Sequence, residues 1–179
     1  TAEGIGGMLR QEPEDFIVKE VSGWEVEGSG KYLILELTKK DWDTHHNMRD
    51  LSRALGISQK RIGFAGTKDK RAVTTQRISI FDIPVESIEK VHIKDVQLTS
   101  LGRYRRAVEL GDLLGNQFKI TIRDISLEKD ELKNRMDEIT SEIRAMGGVP
   151  NFFGIQRFGS TRRVTHLVGE ALVRGSAEE

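Results

Sequence analysis

The chain has 179 residues, no cysteine, and 28 basic side chains balanced by 28 acidic ones. That length can bury one sizeable core and fits one domain with room for an appendage; without cysteine there is no disulfide, zinc-thiolate site or thiol nucleophile. No apolar run approaches the ~20 residues of a membrane-spanning helix, and the opening Thr1-Ala2-Glu3-Gly4 lacks the regions of a signal peptide, so the expectation is a soluble protein of the reducing cytoplasm.

In chain order, residues 15–21 and 32–37 read as strands paired with each other through a turn-rich stretch containing Gly28, Ser29 and Gly30. A helix follows, capped by Asp43 or Thr44, with Met48, Leu51 and Leu55 at helical spacing and Gly56 at its end. Residues 73–81 form the next strand; Pro84 opens a short helical segment, and residues 92–100 and 117–125 supply two more strands. The longest predicted helix runs over 127–146 with Ser126 as its cap and Leu132, Met136, Ile139, Ile143 and Met146 on a face assigned to the core. Gly147 and Gly148 stop it, and a last helix covers 163–173. Strands and helices mixed without strict alternation predict an α+β fold on a mixed, largely antiparallel sheet.

The most informative stretch is residues 63–76, Gly-Phe-Ala-Gly-Thr-Lys-Asp-Lys-Arg-Ala-Val-Thr-Thr-Gln. It sets one carboxylate, Asp69, among Lys68, Lys70 and Arg71 on a loop hinged by Gly63 and Gly66 and anchored by a strand. An isolated Lys-Asp-Lys is usually a solvated turn; the glycines and the apolar Phe64 and Ala65 set this one apart. Nearby cations favour the ionised carboxylate, which suits nucleophilic or electrostatic work more than general-acid work. The spacing does not make a phosphate-cradling P-loop, because Thr67 separates Gly66 from Lys68.

Other chemistries have less behind them. His45, His46, His92 and His166 show no metal-ligand spacing and read as structural or surface residues; no Gly-x-Ser-x-Gly elbow occurs. Glu12, Glu14 and Asp15 read as a solvated turn before a strand. Basic residues gather at 68–71, at Arg103, Arg105 and Arg106, and at Arg157, Arg162 and Arg163. Brought to one face they would bind an RNA backbone; scattered, they serve solubility. Residues 151–159, Asn-Phe-Phe-Gly-Ile-Gln-Arg-Phe-Gly, place three aromatics, an amide and an arginine in a loop after a helix stop. The loop either folds under the core or presents an aromatic for stacking on a base, with Asn151 and Arg157 holding it.

Together these segments resemble the TruD family of pseudouridine synthases. The pattern Gly-x-Lys-Asp-x-x-Ala-x-Thr-x-Gln is met by Gly66, Lys68, Asp69, Ala72, Thr74 and Gln76, and Asn-x-Phe-Gly-x-Gln-Arg-Phe-Gly by residues 151–159. Residues 9–16 resemble the family's first motif, and Gly115, Asn116, Gln117 and Phe118 another. The resemblance implies that Asp69 is the catalytic aspartate, that Phe153 packs against the target base and that Asn151 orders its loop. Arg10 matches the basic partner of the aspartate, where the family often has lysine, a change that keeps charge and alters hydrogen-bond geometry. Lys68 either touches RNA or supports the loop; Arg71 and Arg157 join the phosphate-binding cations, and Gln76 and Asn116 are structural.

The activity implied is isomerisation of uridine to pseudouridine in RNA, above all tRNA at position 13 of the D-arm, with no metal or redox cofactor. The runner-up is an RNA-binding module of the same fold without chemistry; a third reading is a nucleoside hydrolase using Asp69. Family members are about twice this length, so residues 1–160 are expected to form the N-terminal part of the catalytic domain. Residues 161–179 would begin the family's inserted domain, leaving sheet and cleft incomplete in this chain.

Overall fold

The computed structural model describes residues 3–149 and 164–175, in two compact units: Gly6–Ser126, and a second drawn from Thr1–Ile5 and Leu127–Glu179. The first unit is built on a six-stranded sheet. Its path runs β6 (Val96–Tyr104), β3 (Tyr32–Lys40), β5 (Val73–Phe81), β2 (Phe16–Val21), β7 (Gly115–Ile120), with β4 (Ile62–Phe64) beside β5. Only β2 and β5 pair in parallel; the other pairs are antiparallel, as the α+β expectation required.

The expected pairing of the first two long strands is corrected: β5 lies between β2 and β3. A hairpin needs a short turn matched to the strand twist, whereas residues 22–31 form a longer excursion in which Trp24 stacks on Tyr104 at 4.8 Å between centroids. Gly30 permits that excursion, since at φ 120° an added Cβ would lie 2.1 Å from the Tyr104 carbonyl oxygen. On its other edge, β5 meets β2 at Val73 to Thr75 and β4 at Ile78 to Ile80. Two strands thus share one edge of β5, with a break opposite Gln76 and Arg77.

α1 (Thr44–Ala54) packs on one sheet face because its inward residues repeat with helical spacing. Asp43 caps it by accepting from the His46 N–H, and Met48 and Leu51 are fully buried against Leu33, Leu35, Leu37, Ile78 and Ile80. Each such side chain contributes about 1.5–3 kcal/mol by leaving water. The short segment expected after Pro84 is α2 (Glu86–Glu89), and the strand expected at 92–100 begins later, at Val96, because Asp95 takes a left-handed φ of 59° and turns the chain there. The strand expected at 117–125 is split at Thr121, whose N–H donates to the Asp15 carbonyl, leaving β8 (Ile122–Arg123) to pair with β1 (Met8–Leu9).

In the second unit, α3 (Lys129–Ala145) starts with Glu128 at the cap position rather than Ser126, and Arg135 donates to the Gly4 carbonyl at 3.0 Å. None of its residues is buried, so the core assignment for Leu132, Met136, Ile139, Ile143 and Met146 does not hold here. Apolar periodicity marks a face suited to burial; it does not supply the partner. α4 (Thr165–Arg174) ends at Gly175 in the left-handed region. Among the described residues no helix is long and apolar enough to cross a membrane.

Candidate active site

The loop of residues 65–72 joins β4 to β5 and is tied down at both ends. Gln76 Nε2 donates to the Gly66 carbonyl at 3.1 Å, Gly111 N–H to the Ala65 carbonyl at 2.9 Å, and Asp41 N–H to the Ala72 carbonyl at 3.1 Å. Thr44, the first residue of α1, grips Lys68 twice: its Oγ1 accepts from the Lys68 N–H at 3.0 Å and donates to the Lys68 carbonyl at 3.3 Å. Of the two glycines expected to hinge the loop, only Gly63 is demanded by its surroundings, since a Cβ there would lie 2.3 Å from the Val108 carbonyl oxygen. A Cβ at Gly66 would meet nothing within 4 Å.

Asp69 emerges from this anchored loop facing Arg10, with Nη2 and Oδ1 3.4 Å apart and side chains 33% (Arg10) and 41% (Asp69) exposed. An ion pair this open adds only about 0–1 kcal/mol to stability; its consequence is alignment of a carboxylate that a substrate can still reach. Arg10 is itself held. Its backbone sits at φ 55°, its guanidinium lies 3.7 Å above the Phe16 ring, and the next carbonyl, that of Gln11, accepts from Arg71 Nη2 at 2.8 Å. Arg71 therefore ties the Asp69 loop to the segment that carries Arg10.

That segment is anchored by Asp15, which is 1% exposed rather than the solvated turn residue expected. Arg123 Nε donates to both of its oxygens, at 2.8 and 2.9 Å, and the Glu12 N–H adds a third bond at 3.1 Å. The Arg123 guanidinium holds the Asp15 carboxyl below its ordinary range.

Beneath the loop the sheet face turns polar. Lys68 Nζ points inward to Glu20 Oε2 at 2.7 Å, with side chains 4% and 1% exposed, and Glu20 Oε1 accepts from the Arg77 N–H at 3.2 Å. Glu20 thus fills the break between β2 and β4 along β5, where a backbone donor would otherwise lack a strand partner. Lys39, fully buried, donates to the Trp42 carbonyl at 2.6 Å and the Asp69 carbonyl at 3.1 Å. Loss of water lowers its pKa to about 8, against the opposing pull of Asp43 and Asp69.

Of the sequence candidates, Asp69, Arg10, Lys68 and Arg71 come together, and Lys68 occupies the supporting position. Gln76 is buried under the loop, whereas Asn116 is exposed on β7. Asn151, Phe153 and Arg157, with Arg162 and Arg163, lie outside the described residues. In the middle basic cluster, Arg103 donates to the Ile83 carbonyl, Arg105 faces Glu27 at 3.6 Å and Arg106 is bound by Asp112. His46 contacts the cap Asp43, and His45 packs edge-on to Phe64. Among the described residues no group of His, Cys, Asp and Glu is placed to hold a metal ion. Sequence reasoning missed Lys39, Glu20 and Thr44. The signal was strand parity: Lys39 follows Leu33, Leu35 and Leu37 in alternation, and Glu20 follows Val18, so both face inward.

The model of one protein family, described as tRNA pseudouridine synthase D (TruD), matches residues 1–179. The chain belongs to the TruD family. It is 62% identical over 177 residues to a Methanosarcina barkeri protein named "Probable tRNA pseudouridine synthase D", covering 99% of this chain and 40% of that one. The correspondingly named Archaeoglobus fulgidus protein is 46% identical over 179 residues, 98% of this chain and 41% of its own. The fold is that of the Methanosarcina mazei TruD crystal structure, with a TM-score of 0.89 at 62% identity over 98% of this chain and 40% of that one. This TruD chain spans about two fifths of the length of those relatives.

Proposed function

We propose that the protein to which this chain belongs isomerises uridine to pseudouridine in tRNA, with Asp69 as the catalytic carboxylate, and that it works in the cytoplasm. The observation that carries this reading is the pair itself: in a TruD chain, a reachable carboxylate on a loop anchored through Gln76, Gly111, Asp41, Thr44 and Lys39 faces a guanidinium 3.4 Å away. The reaction balances without a co-reactant. The N1–C1′ bond breaks, the uracil turns in place, C5 bonds to C1′, the C5 proton leaves and N1 takes a proton.

Asp69 either attacks C1′ or removes a sugar proton, and Arg10 directs its carboxylate in both routes. Phe153 stacks on a uracil withdrawn from its helix, offsetting part of an unstacking cost of a few kcal/mol; Asn151 and Arg157 order that loop. Lys68 holds the Asp69 loop from below, whereas Arg71, exposed at the rim, meets phosphate together with Lys70. Binding should therefore weaken steeply with salt. The substrate uridine in this reading is that at position 13 of the tRNA D-arm.

The test is pseudouridine mapping on unmodified tRNA by carbodiimide primer extension, with the full-length protein and its Asp69→Asn variant. Product at one D-arm uridine that disappears in the variant, with tRNA binding kept, supports the synthase and Asp69 together. If tRNA is bound but neither protein forms product, the alternative of an RNA-binding module without chemistry takes its place.

A further inference from the structure

The fully buried Lys39 is not explained by packing alone. A methionine would fill similar space without burying an ammonium, which costs free energy unless its hydrogens are satisfied. Two of those hydrogens have defined acceptors, and the acceptors belong to different segments. One is the Trp42 carbonyl in the corner between β3 and α1; the other is the carbonyl of Asp69 itself. Lys39 thus clamps the catalytic loop to the sheet at the residue that carries the carboxylate, while Thr44 clamps the preceding residue from α1.

We propose that Lys39 is a positioning residue for Asp69, its ammonium holding the Asp69 carbonyl and so fixing the direction from which the carboxylate meets the substrate ribose. The inference rests on the synthase reading above. Because carbonyls accept more strongly from an ammonium than from a neutral amine, the clamp tightens when Lys39 is charged and slackens when it is not. The charged groups around it are Asp43 at the cap of α1 and Lys68 and Asp69 on the loop. Glu20 on β2 is engaged by Lys68, and Thr74 on β5 is the cross-strand neighbour of Lys39. The midpoint for slackening follows from burial of Lys39 and lies at about 8.

Two measurements on the full-length protein test this, one independent of activity. Hydrogen exchange of the loop amides is followed from pH 7 to 10, after correction for the intrinsic rate. The expected result is protection that falls with a midpoint near pH 8 in the wild type. Protection that stays flat across that range and is the same in Lys39→Met overturns the proposal.

The second measurement is the pH dependence of turnover on tRNA. In the wild type, kcat should fall above about pH 8 while KM changes less than about twofold. Lys39→Met should lower kcat on the order of tenfold at pH 7 and remove the basic limb. A limb that persists in Lys39→Met assigns it to another group and overturns the proposal. Absence of pseudouridine from the wild type overturns the synthase reading and, with it, the catalytic purpose assigned here; the exchange midpoint then reports the clamp alone.

Discussion

One face of the central sheet has two halves built on different physics. Under α1 it is apolar: Leu33, Leu35, Leu37, Ile78 and Ile80 meet Met48 and Leu51. Under the Asp69 loop the same face carries Lys39, Thr74, Gln76 and Glu20, all buried; Lys39 donates to the Asp69 carbonyl, Gln76 donates to the Gly66 carbonyl, and Glu20 pairs with Lys68. Hydrophobic contact is non-directional and fixes that surfaces meet more firmly than how they are oriented. Hydrogen bonds and a buried ion pair are directional and penalise small displacements, because a partner left unmade in the interior costs more than one made contributes. The apolar half therefore supplies stability, and the polar half supplies the placement of a loop that carries the carboxylate.

Breaking the polar half should be the costlier change. Lys68→Met leaves Glu20 buried without its cation, and the expected loss is about 3–5 kcal/mol by denaturant unfolding. Adding Glu20→Gln should restore a large part of it, because the uncompensated charge is then gone. A loss below about 1 kcal/mol in the single variant would mean that the pair is solvated and does not hold the loop. Leu51→Ala in the apolar half should cost about 3 kcal/mol through lost burial and the cavity left behind. Below its unfolding temperature that variant should retain kcat within about twofold, since no contact of the Asp69 loop is touched. A large fall in kcat would show that the two halves are not separable.

Arg10 tests the comparison from the solvent side. Arg10→Ala should change stability by less than about 1 kcal/mol, as expected for a pair this exposed. It should still lower kcat on the order of 100-fold, about 2.7 kcal/mol, if the guanidinium directs the carboxylate. Arg10→Lys should recover part of that loss, limited by its inability to stack as a plane on Phe16. Equal effects on stability and turnover would place Arg10 with the supporting residues.

Much of this division was legible in the sequence, but unevenly. Asp69 announced itself through its cations and glycines, and α1 through Asp43, Met48 and Leu51 at helical spacing. The order of the strands did not, because alternation within a strand reports which face is buried and says nothing of which neighbour it takes. Asp15 was read as solvated because its partner Arg123 is distant in sequence and becomes a partner only when β8 returns beside β1. Lys39 and Glu20 were hidden for a related reason. A charged residue near a strand end is usually on the surface, and only the loop folded over it makes it interior.

The smallest expected effect is also the sharpest, because stability and activity should move in opposite directions. Lys39 titrates at 10.5 when unfolded and at about 8 when folded. Between those values the unfolded chain holds a proton that the folded chain has released, so stability rises with pH; below about 8 the full cost of burying the ammonium is present. From pH 8 to 9 the gain should be about 1 kcal/mol, read as the difference in unfolding free energy between wild type and Lys39→Met so that shared titrations cancel. An unchanged difference would mean that Lys39 keeps its ordinary pKa and that water reaches it. A wild type that grows more stable over the same interval in which kcat declines identifies the buried ammonium as a strained group: it weakens the fold at neutral pH and, in the charged state that does so, holds Asp69 where the reaction needs it.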